Sequence, residues 1–79
     1  MANVLSRTYK LFKISSVEEK EKFIKEFPTY YEAMLKVRSI LGLGEFRKCG
    51  FNEDPYTGTD VYKDGKKIFI IRKELEYDI

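Results

Sequence analysis

Residues 59–73 read Thr-Asp-Val-Tyr-Lys-Asp-Gly-Lys-Lys-Ile-Phe-Ile-Ile-Arg-Lys, and the Asp64-Gly65 pair at their centre decides the fold class. A two-residue type I′ turn needs positive φ at both positions, which Gly adopts freely and Asp tolerates, so the chain reverses there. Val61-Tyr62-Lys63 and Lys66-Lys67-Ile68 become the arms of an antiparallel hairpin. Its register sets Tyr62 opposite Lys67 and Val61 opposite Ile68. Tyr62, Phe69, Ile71, Leu75 and Tyr77 then share one side of the sheet, and Val61, Ile68 and Ile70 the other. The first of these sides is expected to meet the helices, which leaves three aliphatics uncovered on the second.

Downstream, Glu74-Leu75-Glu76-Tyr77-Asp78-Ile79 alternates acid and apolar in phase with Phe69 and Ile71. A frayed end would have no reason to keep that period. Leu75, Tyr77 and Ile79 are therefore expected to carry the last strand past its hairpin partner, which runs out near Thr59, onto the first strand or onto an edge of another chain. Pairing with the first strand would bring Glu74, Glu76 and Asp78 near Arg7, Lys10 and Lys13.

Upstream of the hairpin, Asn52 to Gly58 is a run of turn formers, and Phe46 to Phe51 is a short strand before it. Thr29-Tyr30-Tyr31-Glu32 has capping-box form. Tyr30, Ala33, Met34, Val37 and Leu41 then follow the three-four spacing of a buried helical face, which Tyr31, Leu35 and Ile40 widen. Gly42 is the expected terminator, with Leu43 placed for the accompanying apolar contact. A preceding helix is expected from Val17 to Phe27. Ser16-Val17-Glu18-Glu19 repeats the capping box, Phe23, Ile24 and Phe27 form a narrow stripe, Glu18/Lys22 and Glu21/Lys25 stand four apart, and Pro28 stops the helix. Val4 to Ile14, without Gly or Pro and rich in β-formers, is the first strand.

The order is thus β-α-α-β-β-β: a single small α+β domain over residues 1–79, with a mostly antiparallel sheet and two helices on one face. Helix, Pro turn, helix and basic hairpin also resemble the last two thirds of a winged helix, with Thr29 to Leu41 as recognition helix and Asp64-Gly65 as wing tip. That is the alternative fold.

A chain of 79 residues has room for one core and none for a separate cofactor domain. Fifteen bases against thirteen acids leave a net charge of +2, too slight to demand a polyanionic partner. Their distribution says more: Arg7, Lys10 and Lys13 stand in an acid-free start, and Lys63, Lys66, Lys67, Arg72 and Lys73 crowd the hairpin. The lone Cys49 cannot form a disulfide within the chain, which fits a reducing compartment, the cytoplasm. No apolar run approaches the roughly 18 residues of a membrane span, and Met1 to Lys13 lacks the apolar region of a signal peptide, so no membrane partner is expected.

The absence of histidine removes the commonest general base and every Ser-His or Cys-His arrangement. Cys49, placed in the strand run Phe46 to Phe51, reads as a small apolar residue. Glu53, Asp54 and Asp60 are carboxylates in or beside a turn-rich loop. Oxygen ligands at Asn52, Asp54 and Asp60 fail the calcium-loop pattern, since Tyr56 stands where an oxygen is wanted and no closing glutamate follows. Gly42-Leu43-Gly44 follows a helix, whereas a dinucleotide fingerprint must follow a strand. No catalytic residue, metal, cofactor or small-molecule substrate is expected, and the chain is read as no enzyme.

Two binding functions remain. The first is a non-catalytic protein-interaction module, a homodimer among its forms, with Val61, Ile68, Ile70, Leu75, Tyr77 and Ile79 as its contact residues. The second is nucleic-acid binding, in which Arg7, Lys10, Lys13, Lys63, Lys66, Lys67, Arg72 and Lys73 form one stripe with Tyr9 and Tyr62 available to stack bases. Arg47-Lys48-Cys49-Gly50-Phe51 resembles the start of an RNA-recognition-motif signature, which Asn52 and Glu53 interrupt. As a single domain rich in Lys, Glu and Tyr without catalytic apparatus, the chain resembles the small accessory proteins of phages, archaeal viruses and mobile elements, some of which inhibit host factors. The resemblance implies a binder of a partner surface and carries over no residue.

Overall fold

The structure, a computed structural model, describes residues 3–15, 20–54 and 56–78. β1 (Asn3–Ile14) and β2 (Glu21–Phe27) form a hairpin, α1 (Tyr30–Leu41) and the single turn α2 (Leu43–Phe46) follow, and β3 (Gly50–Asp54), β4 (Gly58–Lys63) and β5 (Lys66–Asp78) complete the chain. The five strands make one antiparallel sheet in the order β2-β1-β5-β4-β3. The molecule is elongated, 43 Å in its longest dimension, and β5 with 13 residues is its longest strand. The α+β class, the antiparallel sheet and the run of strand, two helices and three strands agree with the sequence, with one strand inserted after the first.

That inserted strand is the main correction. Glu21–Phe27, expected as the end of a helix from Val17, pairs with β1 from Tyr9↔Phe27 to Ile14↔Glu21. Residues 16–19, with the capping box assigned to them, lie outside the described residues. Tertiary context outweighs helix propensity here. As a helix the segment offers one narrow apolar stripe. As a strand with a bulge opposite Leu11, it sends Ile24 and Phe27 into the core and sets the Phe23 ring 5.6 Å from that of Phe12. The i,i+4 ion pair expected between Glu21 and Lys25 is replaced by one from Glu21 to Arg72. With a strand before Pro28, the winged-helix alternative fails.

α1 forms where its period predicts. Thr29 Oγ1 accepts the Glu32 amide at 3.2 Å and donates to the Glu32 carboxylate at 3.0 Å. Ala33 and Val37 are buried, and Tyr30, Met34 and Leu41 pack around them. Tyr31, Leu35 and Ile40 do not widen that face, for all three are exposed. Gly42 ends the helix at φ 83°, its amide donating to the Arg38 carbonyl at 2.8 Å. Phe46, expected to open a strand, instead closes α2; β3 starts at Gly50, and the Phe46 and Phe51 ring centroids lie 5.6 Å apart.

The hairpin at Asp64-Gly65 has the predicted turn, with φ 52° and 76°. Tyr62 does oppose Lys67, but a bulge follows, so Val61 opposes Phe69 and Ile68 becomes the extra residue. This overturns the predicted division of faces. Val61 is fully buried with Phe69, Ile71, Leu11, Phe27, Ala33 and Val37, and Ile68 turns in to pack against them. Of the three aliphatics expected on the uncovered side, only Ile70 is there.

Candidate functional site

β1 and β5 outrun their neighbours. β2 accompanies β1 only from Tyr9 onward, and β4 accompanies β5 only as far as Arg72, whereas β1 and β5 pair with each other from Lys13↔Phe69 to Asn3↔Asp78. The Lys73 amide donates to the Thr57 carbonyl at 2.9 Å and closes the β4 side. Beyond it, residues 3–8 and 74–78 form a two-stranded ribbon whose outer backbone edges carry no strand among the described residues. The tail thus pairs with the first strand, as its alternation allowed, and Lys10 meets Glu74 at 2.9 Å. The Glu74 hydrogen bond and charge raise the Lys10 pKa.

The sheet face away from the helices carries Phe12, Phe23 and Ile70 among ion pairs. Arg72 donates to both Glu21 carboxylate oxygens at 3.1 and 3.0 Å, with its guanidinium 4.7 Å from the Phe12 ring centroid. Lys67 reaches Asp60 at 3.3 Å and the Tyr62 ring at 5.9 Å. These groups are partly exposed, so each pair contributes little to stability, but together they neutralise the bases of this face.

The basic residues do not form one stripe. Lys10, Lys67 and Arg72 lie on the open face with Tyr62. Arg7, Lys13 and Lys73 alternate with Leu11 and Ile71 onto the helix side, where Tyr9 sits edge-on to Tyr30 at 6.0 Å. Lys63 and Lys66 face each other at the turn, and Lys63 binds Glu45 of α2. That bond, with the charge of Lys48, holds the Glu45 carboxyl below its ordinary pKa.

Of the residues expected at a protein contact, Val61 is core and Ile68 lies against it, while Ile70 and Leu75 are half-buried. Tyr77 is placed by its backbone opposite Val4, and Ile79 lies outside the described residues. The exposed large apolar residues are instead Phe23, Tyr31, Leu35, Ile40, Leu43, Phe51 and Tyr56, of which Leu43 was expected in a cap contact and none at a partner. Their local patterns give no warning, because what exposes them is which neighbours the sheet supplies.

The loop carboxylates are occupied structurally. Asp54 Oδ1 accepts the amides of Tyr56 and Thr57 at 2.8 and 3.3 Å, an Asx turn that joins β3 to β4. Tyr30 accepts from Thr59 Oγ1 at 3.2 Å and donates to Glu53 at 3.1 Å, tying α1 to the sheet; burial raises its pKa. Cys49 precedes β3 and donates its thiol to the Glu45 carbonyl at 3.5 Å; burial raises its pKa and outweighs the opposing charge of Lys63, which disfavours the thiolate. Among the described residues no group of three or more His, Cys, Asp or Glu side chains could hold a metal, and no helix is long and apolar enough to cross a membrane. No family model, curated protein or solved structure matches the chain.

Proposed function

We propose that this chain is a non-catalytic protein-binding module of a reducing, cytoplasmic setting that takes up an extended segment of a partner, another copy of itself included, as an added strand on the β1–β5 ribbon. The observation that carries the proposal is the pair of bare edges beyond Tyr9 and Arg72. An open strand edge presents a row of backbone donors and acceptors, and main-chain bonds to it supply affinity without any catalytic group. The sheet's other edges are guarded by charge: β2 interleaves Glu21, Lys22, Lys25 and Glu26, and β3 ends in Glu53 and Asp54. Of the two bare edges, that of β5 carries Glu74, Glu76 and Asp78, whereas that of β1 has no charged residue from Asn3 to Ser6. The nucleic-acid alternative has less support, because its bases divide between the two faces and three on the open face are already paired.

Leu5 allows a direct test. The register shifts between Val4 and Ser6, so Leu5 stands at a bulge opposite no β5 residue, a position at which proline is tolerated in a ladder. Sedimentation of the full chain over a range of concentrations, with affinity capture from a cell lysate, is expected to show self-association or a specific captured protein. Leu5→Pro is expected to remove it while leaving the circular dichroism spectrum intact. A strict monomer with identical captures for both proteins would end the proposal.

A further inference from the structure

At the end of β1 remote from the ribbon, a groove of about 600 Å³ opens between the last turn of α1 and the sheet, with Ile40, Leu41, Ile68 and Phe69 on its floor and Lys13 and Lys22 on its rim. This volume lies within the range of small-molecule sites, roughly 300–1,000 Å³. The two halves of the lining pose opposite problems. Ile40 is 41% exposed and Leu41 and Ile68 are half-buried, so the floor keeps apolar area in water that an apolar occupant would remove.

Among the described residues the charge of the rim is unneutralised. Lys13 and Lys22 are direct cross-strand partners in the β1–β2 ladder, an arrangement in which like charges destabilise the pair. Neither ammonium has a carboxylate partner among the described residues, although Lys10, Lys48, Lys63, Lys67 and Arg72 each have one. Lys63 also reaches the groove, but Glu45 occupies it, so among the described residues the unpaired positive charge of the lining is that of Lys13 and Lys22.

An occupant that resolves both problems has an apolar body and a single anionic head. A simple anion would leave the floor wet, a neutral hydrocarbon would leave the ammonium pair unrelieved, and a cationic amphiphile would be repelled at the rim. We infer that the groove binds a single-chain amphipathic carboxylate of the fatty-acid type, its alkyl chain along Ile40, Leu41, Ile68 and Phe69 and its carboxylate between the Lys13 and Lys22 ammonium groups. The site is at the opposite end of β1 from the ribbon, so it stands independently of strand addition.

Dodecanoate, titrated into the full chain below its micelle-forming concentration, tests the inference by calorimetry and amide NMR shifts. The expected result is saturable one-to-one binding with shifts at Ile40, Leu41, Ile68 and Phe69. The double variant Lys13→Gln/Lys22→Gln should weaken it at least tenfold while its ligand-free Tm stays level or rises, since like-charge repulsion is relieved. Ile40→Glu, an exposed helix position that leaves the core untouched, should abolish binding with the fold intact, and dodecyltrimethylammonium should not compete. Absence of saturation, undiminished affinity in the double variant, or equal binding of the cationic amphiphile would each overturn the inference.

Discussion

Two halves of the same strand pair have different fates. From residue 9 onward β1 lies between β2 and β5, and from residue 72 back β5 lies between β1 and β4, with α1 covering this half so that Leu11, Phe69 and Ile71 are buried. Beyond that line the β1–β5 ladder continues, but both neighbours stop and Leu75 is only half-buried. The antiparallel ladder runs on across the boundary, broken only by the bulge at Leu5, so strand pairing alone does not set stability. An isolated two-stranded ribbon is marginal in water. Apolar cover makes one half a core and leaves the other an arm without it.

The largest test lies on the boundary. Gly58, where β4 begins opposite Arg72, has φ 125°, and a Cβ there would stand 1.9 Å from the Ile71 carbonyl oxygen. Gly58→Ala must displace backbone and is expected to cost about 4 kcal/mol in urea unfolding. An unchanged midpoint would mean that β4 does not approach β5 so closely. The second test sets the halves against each other directly: Leu11→Ala, in the covered half, should cost about 3 kcal/mol, and Leu75→Ala, in the arm, about 1 kcal/mol. Equal losses would erase the distinction.

The smallest expected effect is electrostatic and belongs to the covered end, where Glu45 of α2 binds Lys63 of β4. The folded state lowers the Glu45 pKa through the Lys63 bond and raises that of Lys63 through the same bond. The pair's stabilisation is therefore fully present above the ordinary carboxylate pKa and below the ordinary lysine pKa. It disappears as pH falls through the lowered Glu45 value or rises through the raised Lys63 value. Glu45→Gln should lower the Tm slightly at neutral pH, with the difference vanishing in acid. A difference that persists in acid would locate the effect in α2 packing instead.

Much of this molecule was legible from local chemistry. Asp64-Gly65 demanded a backbone that few other dipeptides adopt, Thr29 and Glu32 closed a cap using groups three residues apart, and the alternation from Phe69 through Asp78 announced one long strand. Glu21 to Phe27 was not legible, because three apolar residues among charges satisfy a weak helix and a bulged strand equally, and only the β1 edge chooses between them. The Val61 face was misassigned for a related reason: one extra residue at Ile68 reverses the phase of everything beyond it.

The sequence by itself determined the Asp64-Gly65 turn, the Thr29 cap and the α+β class, since these rest on the φ preferences of single residues and on periods that a few side chains display. The tertiary structure decided the two candidate sites. The bare edges exist because β2 and β4 are shorter than β1 and β5, a relation among four strands that no one of them encodes. The charged groove exists because Glu21–Phe27 is extended: on a helix Lys22 would have faced solvent with Glu18 four residues away, whereas in the sheet it stands across from Lys13 and pairs with no carboxylate among the described residues.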